Sequence, residues 1–174
     1  MVRLEFIGRI GLHPRKFNPD LAECLTFPTT MEKLKILFLC MGNSCRSQMA
    51  EGWTRQLKSD VIEPYSAGIE PKRLDPFAVR VMAEAGVDIS GQYSKHMDEW
   101  KDVAFDYVIM VCNSANERCP FFPGKTGRLH KSFDDPPRLA ESAQSEKEIM
   151  EIYRRVRDEI KSFVANMPEN LVPL

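Results

Sequence analysis

The residues best suited to chemistry stand close together, between Cys40 and Ser47. This segment lies between an apolar run and a helical pattern, where a loop can point backbone N–H groups and the positive end of a helix dipole at an anion. Arg46 adds a planar fork for two oxygens of a tetrahedral oxyanion. The same field favours the thiolate form of Cys40, to which Ser47 can donate a hydrogen bond. The spacing predicts nucleophilic attack by Cys40 on a bound oxyanion.

The same loop also has a simpler explanation. A cysteine with an arginine after five intervening residues arises often by chance, and a cysteine after a strand is commonly just buried. The strand before, the helix after and the Gly, Asn and Ser between them favour the catalytic interpretation. Cys45 is expected to pack beneath the loop rather than react. The residues predicted to bind the oxyanion are Met41, Gly42, Asn43, Ser44, Cys45, Arg46 and Ser47.

Two further cysteines, Cys112 and Cys119, are separated by six residues. That spacing is wider than a CxxC pair, and no other cysteine or histidine is placed to close a zinc site with them, so no metal is predicted. If the segment were helical, the two Cα atoms would lie about 10.5 Å apart, too far for a disulfide. The residues alone leave two possibilities open: a disulfide that requires a conformational change, or two buried thiols.

A carboxylate pair, Asp134 and Asp135, precedes two prolines. A carboxyl group there can protonate an oxygen that leaves the reacting centre. The same run is also good turn and helix-start chemistry, and the residues alone favour that interpretation. No catalytic role is predicted for the three histidines, His13, His96 and His130.

Short apolar runs alternate with helical patterns along the chain. Buried strands are predicted at three runs rich in branched and aromatic residues: Ile36–Leu39, Val61–Ala67 and Tyr107–Val111. Helices are predicted to begin at Ser47, to span Asp75–Ala85 and to lie near Met97–Lys101. The alternation predicts an α/β fold, a single-domain parallel sheet of about four strands with helices on both faces.

Two helices carry a predicted apolar face. In the helix after the loop, it consists of Met49, Ala50, Trp53 and Leu57. The last helix is predicted to start at a capping box of Ser145 and Glu148. Its apolar stripe comprises Ile149, Ile152, Val156, Ile160 and Val164. Parallel sheets bind ligands beyond the carboxyl ends of their strands, which is where both Cys40 and Cys112 fall.

The composition fits one ordinary domain. The chain has 174 residues, 43% of them hydrophobic, and its formal net charge of -1 gives no indication of binding to nucleic acid or a membrane surface. No apolar run is long enough for a membrane helix, and no signal peptide is evident. Five cysteines at irregular spacing argue against a secreted disulfide framework and predict a cytoplasmic location. No cofactor is indicated, and a monomer is expected.

Residues 1–30 show no sustained pattern, whereas a regular pattern begins just after Met31. Two explanations stay open: a genuine N-terminal extension, or a translation start assigned too far upstream, with Met31 as the native start. No function is assigned to residues 1–30. The domain is predicted to span residues 31–174.

The segment Cys40–Ser47 resembles the signature loop of low-molecular-weight tyrosine phosphatases. A longer stretch, Cys40–Trp53, is similar to thioredoxin-coupled arsenate reductases of that superfamily. Three more segments show the same similarity: Tyr65–Glu70, Cys112–Pro120 and Phe133–Pro136. The resemblance implies the phosphatase fold, arsenate as the substrate and thioredoxin as the reductant.

The resemblance also implies individual roles. Cys40 would be the nucleophile, and Asp135, directly before the proline, the general acid, which leaves Asp134 structural. Cys112 would be the resolving cysteine that attacks Cys40. Cys119 would be the terminal cysteine, which attacks Cys112 and passes the disulfide to thioredoxin.

Two other functions stay open. A tyrosine phosphatase would need only Cys40, Arg46 and Asp135. That class typically has aromatic residues just beyond the Asp-Pro pair, where this chain has Pro137, Arg138 and Leu139. A non-catalytic sensor of anions or redox state is the third and least favoured function, since the chain has no attached DNA-binding module.

Reductases of this type often hold a potassium ion beside the loop, with residues that match Asn43, Glu51 and Ser66. In the rest of that site, this chain has Tyr93 and Lys95 where the family pattern has a threonine and an aspartate. A lysine ammonium can take the place of the ion's charge. The comparison with that pattern therefore predicts that potassium is unnecessary.

Overall fold

The computed structural model describes residues 32–112 and 126–171. They contain a sheet of four parallel strands in the order β2-β1-β3-β4. The strands are β1 (Leu34–Cys40), β2 (Ile62–Gly68), β3 (Tyr107–Met110) and β4 (Gly127–His130). The predicted parallel α/β sheet is confirmed. Since β1 lies between β2 and β3, its last residue, Cys40, stands in the middle of the carboxyl edge of the sheet.

The helices follow the predicted alternation. They are α1 (Arg46–Leu57), α2 (Pro76–Glu84), α3 (Pro136–Ala140) and α4 (Glu146–Ala165), with a short 3₁₀ helix at Met97–Trp100. No helix in the two described ranges is long and apolar enough to cross a membrane. The predicted division at Met31 concerns residues outside these ranges and stays a prediction.

Side chains of β1 alternate between the two faces of the sheet, because successive residues of a strand point in opposite directions. Ile36 and Phe38 belong to a large buried cluster with side chains of α1, α2 and α4. Leu37 and Leu39 belong to a smaller cluster on the other face, against which Trp100 of the 3₁₀ helix packs. Both faces are therefore covered, and the site lies at the edge between them.

The fourth strand is the element that the sequence pattern did not place. β4 is only four residues long, pairs with β3 alone and contains a single large apolar residue, Leu129. A short strand at the edge of a sheet needs no continuous apolar run, since fewer of its side chains are buried.

The predicted buried faces of two helices are partly wrong. Leu57 is 38% exposed at the end of α1. In the first half of α4, the fully buried side chains are Met150 and Tyr153, whereas Ile149 and Ile152 are half-buried. The ring of Tyr153 packs on Phe77 of α2, and its hydroxyl donates to Asp75 Oδ2 at 2.8 Å. This contact with α2 fixes which side of α4 faces inward.

The helix starts are close to those predicted. Ser145 is the N-cap of α4 and accepts the Glu148 N–H at 3.3 Å. The reciprocal contact differs from a capping box, because the Glu148 carboxylate accepts the N–H of Gln144 instead. Asp75 caps α2, and Gly86 has the positive φ, +80°, that its role as helix terminator requires.

Candidate active site

The loop between β1 and α1 is held from outside through its carbonyl groups. Residues 69–75, here named the brace segment, run beside the loop after β2. Their backbone N–H groups donate to four loop carbonyls: Ile69 to Cys40 (3.3 Å), Glu70 to Met41 (2.9 Å), Lys72 to Gly42 (2.8 Å) and Asp75 to Ser44 (2.9 Å). Because these carbonyls point outward, we expect the loop N–H groups to face its centre, as the Asn43 N–H does toward Cys40 Sγ. The first N–H groups of a helix, which have no partner within the helix, would lie beside them. That arrangement binds an anion.

Asn43 fixes the turn of this loop. Its φ of 43° lies in the left-handed region, which asparagine tolerates better than most residues. The buried amide Nδ2 donates to Ser47 Oγ and to Ser66 Oγ, both at 2.9 Å. Its Oδ1 accepts the backbone N–H of Lys95 at 2.8 Å. The loop conformation therefore depends on side-chain contacts with α1, β2 and the segment before the 3₁₀ helix.

Two groups lie within hydrogen-bond distance of the Cys40 sulfur. The Asn43 N–H donates to Sγ at 3.1 Å, and Ser47 Oγ lies 2.9 Å away. A thiolate can only accept, so the Ser47 hydroxyl donates to the sulfur when Cys40 is ionised. Two donors at one sulfur stabilise a thiolate.

The helix predicted to begin at Ser47 begins one residue earlier, at Arg46. Ser47 is the second residue of α1, and the N-cap, Cys45, makes no side-chain capping bond. The Ser47 hydroxyl is thus committed to Cys40 instead of to the helix end.

Arg46 and Asp135 face each other across the mouth of the loop. Arg46 is only 9% exposed; its Nη1 donates to the Phe133 carbonyl at 3.0 Å and its Nη2 lies 3.3 Å from Asp135 Oδ1. The Asp135 side chain is 36% exposed, so solvent reaches it. Asp134 instead pairs with Arg155 of α4 at 2.9 Å. The two neighbouring aspartates therefore point to different surroundings.

A cavity of about 400 Å³ opens above Cys40. It is lined by residues of the loop, the brace segment and the start of α3: Cys40, Met41, Gly42, Ser44, Cys45, Arg46, Lys72, Arg73, Asp75, Asp135 and Pro137. The Asp75 carboxylate is already engaged, because it accepts the N–H groups of Phe77 and Ala78 and the Tyr153 hydroxyl. Arg46, Lys72 and Arg73 thus outnumber the two acidic side chains, Asp75 and Asp135, which suits an anion.

Lys72 and Arg73 were not identified from the sequence. They lie in an exposed segment without periodic pattern, and only the pairing of the brace segment with the loop brings them to the cavity. Neither forms an ion pair with a residue that the structure describes. Nothing in the sequence around a basic loop residue indicates whether its side chain lines a cavity.

The remaining cysteines differ in their surroundings. Cys45 is buried in the large cluster, and burial, reinforced by the nearby Asp75 charge, raises the pKa of its thiol well above the ordinary value. Cys112 is also buried and lies two residues past the end of β3. Cys40 and Cys45 form no disulfide with another described residue. Cys119 lies outside the described residues.

A comparison with protein families agrees with this geometry. The family model of the low molecular weight phosphotyrosine protein phosphatases matches residues 35–172, which include every described element except the first residue of β1. The chain belongs to this family.

Proteins similar to this chain carry a different activity in their names. The arsenate reductase of Bacillus subtilis is 48% identical over 130 residues, which cover 75% of this chain and 91% of that protein. A solved arsenate reductase in its phosphate-binding state is 33% identical, with a TM-score of 0.67 over 80% of this chain and 99% of the other. The thioredoxin-dependent arsenate reductase of Corynebacterium glutamicum is 25% identical, with a TM-score of 0.54 over 77% and 61% of the two chains.

Beside the phosphatase-family loop lies a buried ion pair. Lys95 Nζ is 3.3 Å from Glu51 Oε2 and donates to the Tyr93 carbonyl at 3.0 Å. Ser66 Oγ donates to the same Glu51 oxygen. The Lys95 side chain is only 5% exposed, so its ammonium fills the space among these oxygens.

The ion pair between Lys95 and Glu51 determines whether these residues could bind a potassium ion. Asn43, Glu51 and Ser66 do meet there, but the ammonium of Lys95 already supplies the positive charge. The residues therefore do not fit a bound potassium ion. Within the described residues, no group of three or more His, Cys, Asp or Glu is arranged to hold a metal.

Proposed function

We propose that the protein reduces arsenate to arsenite by a relay of three cysteines, Cys40, Cys112 and Cys119, which thioredoxin regenerates. The observation that carries this proposal is a hydrogen-bonded thiol at the base of an anion cradle, with a second buried thiol just past the end of the adjacent strand. A phosphatase needs only the first thiol. The arsenate reductases among the relatives support the choice of substrate.

The first step uses the loop. Arsenate is a tetrahedral anion close to phosphate in charge and shape, so the loop N–H groups and the Arg46 fork suit its oxygens. The Cys40 thiolate attacks arsenic and a sulfur–arsenic bond forms. The bond between arsenic and the hydroxyl group opposite the attacking sulfur breaks. Asp135 donates a proton to this hydroxyl group, which leaves as water.

The second step transfers electrons. The Cys112 thiolate attacks Sγ of Cys40, a disulfide forms and the sulfur–arsenic bond breaks. Its electron pair stays on arsenic, which passes from As(V) to As(III) and leaves as arsenite. The Cys119 thiolate then attacks Cys112, which frees Cys40. Thioredoxin finally reduces the disulfide between Cys112 and Cys119 and is itself oxidised.

The sheet supports contact between the first two thiols. Val111 N–H donates to the Leu39 carbonyl at 2.9 Å, so the chain stays beside β1 up to the residue before Cys112. If strand geometry continued to Cys112, a strand spacing of about 4.8 Å and a rise of about 3.3 Å per residue would put its Cα atom on the order of 6 Å from that of Cys40, a separation that disulfides span. Strand alternation alone would turn Cys112 to the face opposite Cys40, so the disulfide requires the backbone to turn at Cys112, which lies past the end of β3.

The second candidate is a tyrosine phosphatase, which the contact between Arg46 and Asp135 above Cys40 favours. The cavity lining argues against it. Its rim consists of Lys72, Arg73 and Pro137, and no aromatic side chain is among the described lining residues. A phosphotyrosine ring would therefore find no stacking partner among the described residues of the cavity. Weak turnover of simple phosphate esters is expected, because the cradle accepts phosphate as well as arsenate.

The relay also implies where and how the protein works. Its three thiols must be reduced between turnovers, so we place it in the cytoplasm with thioredoxin. We propose that it acts as a monomer, because every reacting residue named here comes from one chain.

The test is arsenate-dependent oxidation of reduced thioredoxin by the purified full-length chain, with hydrolysis of p-nitrophenyl phosphate measured beside it. Cys40→Ser should abolish both reactions. Cys112→Ser and Cys119→Ser should each abolish repeated reduction but spare phosphate ester hydrolysis, which ends by attack of water on the Cys40 adduct. Cys24→Ser is the matched control and should change neither. Repeated thioredoxin-coupled reduction by both Cys112→Ser and Cys119→Ser would replace this proposal with the phosphatase.

A further inference from the structure

Two side chains converge on the carbonyl oxygen of Cys112. Nε2 of His130, the last residue of β4, lies 2.7 Å from it, and Ser132 Oγ donates to it at 3.2 Å. The two groups are also 3.2 Å from each other. A carbonyl oxygen can only accept, so His130 Nε2 carries a proton in this contact. We name this pair the carbonyl clamp.

The carbonyl clamp restricts the backbone on one side of Cys112. On the other side, Val111 N–H is bonded to Leu39 of β1 at 2.9 Å. Peptide groups are planar, so only a few φ and ψ torsions between these two anchors stay free. The direction of the Cys112 side chain is therefore largely set by β1 before it and by the carbonyl clamp after it.

We infer that His130 and Ser132 are positioning residues for the attack of Cys112 on Cys40. This inference rests on the relay proposed above. In that step the disulfide forms as the sulfur–arsenic bond breaks, and its electron pair stays on arsenic; neither His130 nor Ser132 gains or loses a proton or an electron. Their contribution is orientation, because a displacement of about 1 Å at a reacting group can slow a reaction by as much as 100-fold.

The position of the carbonyl clamp matters because Cys112 stands only seven residues before Cys119 in the chain. The relay requires Cys112 to react first with Cys40 and then with Cys119. An anchor at the Cys112 carbonyl keeps this thiol beside β1 while the chain beyond it supplies the third thiol. β4 thus contributes to the chemistry without touching the substrate.

The experiment measures one turnover in a Cys119→Ser background, where the reaction stops at the disulfide between Cys40 and Cys112. Arsenite released per enzyme is followed over time at saturating arsenate, and p-nitrophenyl phosphate hydrolysis is measured with the same preparations. His130→Ala and Ser132→Ala should each slow arsenite release about tenfold. Hydrolysis of the phosphate ester should stay within about twofold, because it does not use Cys112.

Two further variants separate orientation from general damage. His130→Gln retains an N–H donor and should recover most of the rate lost in His130→Ala. Lys131→Gln is the matched control: Lys131 lies between the two residues, but its ammonium stands over the rings of Phe133 and Phe163, so arsenite release should be unchanged. If His130→Ala also loses ester hydrolysis, general damage explains that variant. The role of the carbonyl clamp is then judged from arsenite release by Ser132→Ala and His130→Gln.

Unchanged or faster arsenite release in both His130→Ala and Ser132→Ala would overturn the inference. An equal loss of both reactions in Ser132→Ala would overturn it too, since that pattern indicates a purely structural role. Failure of the relay looks different, because Cys112→Ser would then continue to release arsenite over many turnovers. If Cys112→Ser blocks release while the carbonyl clamp variants do not slow it, only the role of His130 and Ser132 is wrong.

Discussion

Ser47 Oγ lies 2.9 Å from Cys40 Sγ, although the two residues belong to different elements, α1 and β1. Ser47→Ala removes one of the two donors at the sulfur and leaves the Asn43 N–H. Hydrogen bonds to charged groups contribute about 1.5–3 kcal/mol, so kcat should fall at least about tenfold with arsenate and with p-nitrophenyl phosphate. Ser142→Ala, which removes a hydroxyl at an exposed site, is the control. Equal rates for the two variants would show that Ser47 does not stabilise the thiolate.

Arg46→Lys tests the oxyanion fork. A lysine keeps the charge but cannot bind two oxygens in one plane or reach the Phe133 carbonyl in the same geometry. kcat/KM should fall about 100-fold for both substrates, because the same fork holds both anions. Steady-state kinetics measure this loss, with the exposed Arg138→Lys as control. Near-normal kinetics in Arg46→Lys would mean that the loop binds oxyanions without its arginine.

Asp135→Asn and Asp134→Asn form a matched pair at adjacent positions. Asp135 faces Arg46 and the cavity, so its amide variant loses the general acid and kcat should fall about 100-fold or more. Asp134 pairs with Arg155 on the surface, and its variant should retain nearly full activity. Initial rates with both substrates distinguish them. A greater loss in Asp134→Asn would reverse the assignment.

Potassium should have little effect on this protein. The melting temperature and kcat/KM should be the same in potassium and sodium salts at constant ionic strength, because Lys95 supplies the charge beside Glu51. A rise in melting temperature with potassium alone would refute this.

Lys95→Met leaves the Glu51 carboxylate buried without its ammonium. Loss of one partner of a buried pair costs about 3 kcal/mol or more, so the melting temperature should fall clearly. Arg55→Met is the control, since Arg55 reaches the other Glu51 oxygen from a largely exposed position and should matter far less. Thermal unfolding followed by circular dichroism compares the two variants.

Gly68→Ala tests how closely the loop approaches β2. A Cβ atom at Gly68 would stand 2.8 Å from both the Asn43 nitrogen and the Met41 oxygen, so the loop must shift. Activity with both substrates should fall at least about tenfold. We expect phosphate to raise the melting temperature of the wild type but not that of Gly68→Ala. Gly91→Ala, where a Cβ meets nothing within 4 Å, is the control. Intact phosphate binding in Gly68→Ala would show that the loop can accommodate a Cβ atom at position 68.

The parts of the site that the sequence predicted are those encoded locally. Cys40, Arg46 and Ser47 lie within eight consecutive residues, where β1 ends and α1 begins. A loop that joins a strand to a helix in this way has a recognisable sequence pattern. The choice between Asp134 and Asp135 was different. Turn chemistry is the same for both, so only the resemblance to known reductases singled out Asp135.

The parts that the sequence did not predict depend on packing over long distances. Lys72 and Arg73 reach the cavity only through the brace segment, and the buried side of α4 is fixed by the contact of Tyr153 with α2. Ile152 and Tyr153 both suit an apolar stripe that continues to Val156, so periodicity alone could not choose between them. A strand as short as β4 gave no pattern at all.

The dependence of the loop on the brace segment has a consequence for the order in which the chain acquires activity. Residues 40–47 are contiguous, but the N–H groups that hold their carbonyls outward come about thirty residues later. A truncated chain that ends after α1 would contain the whole motif and still lack the cradle. During synthesis on the ribosome, the Cys40 thiol would therefore stay unreactive toward oxyanions until β2 and the residues after it have emerged and docked.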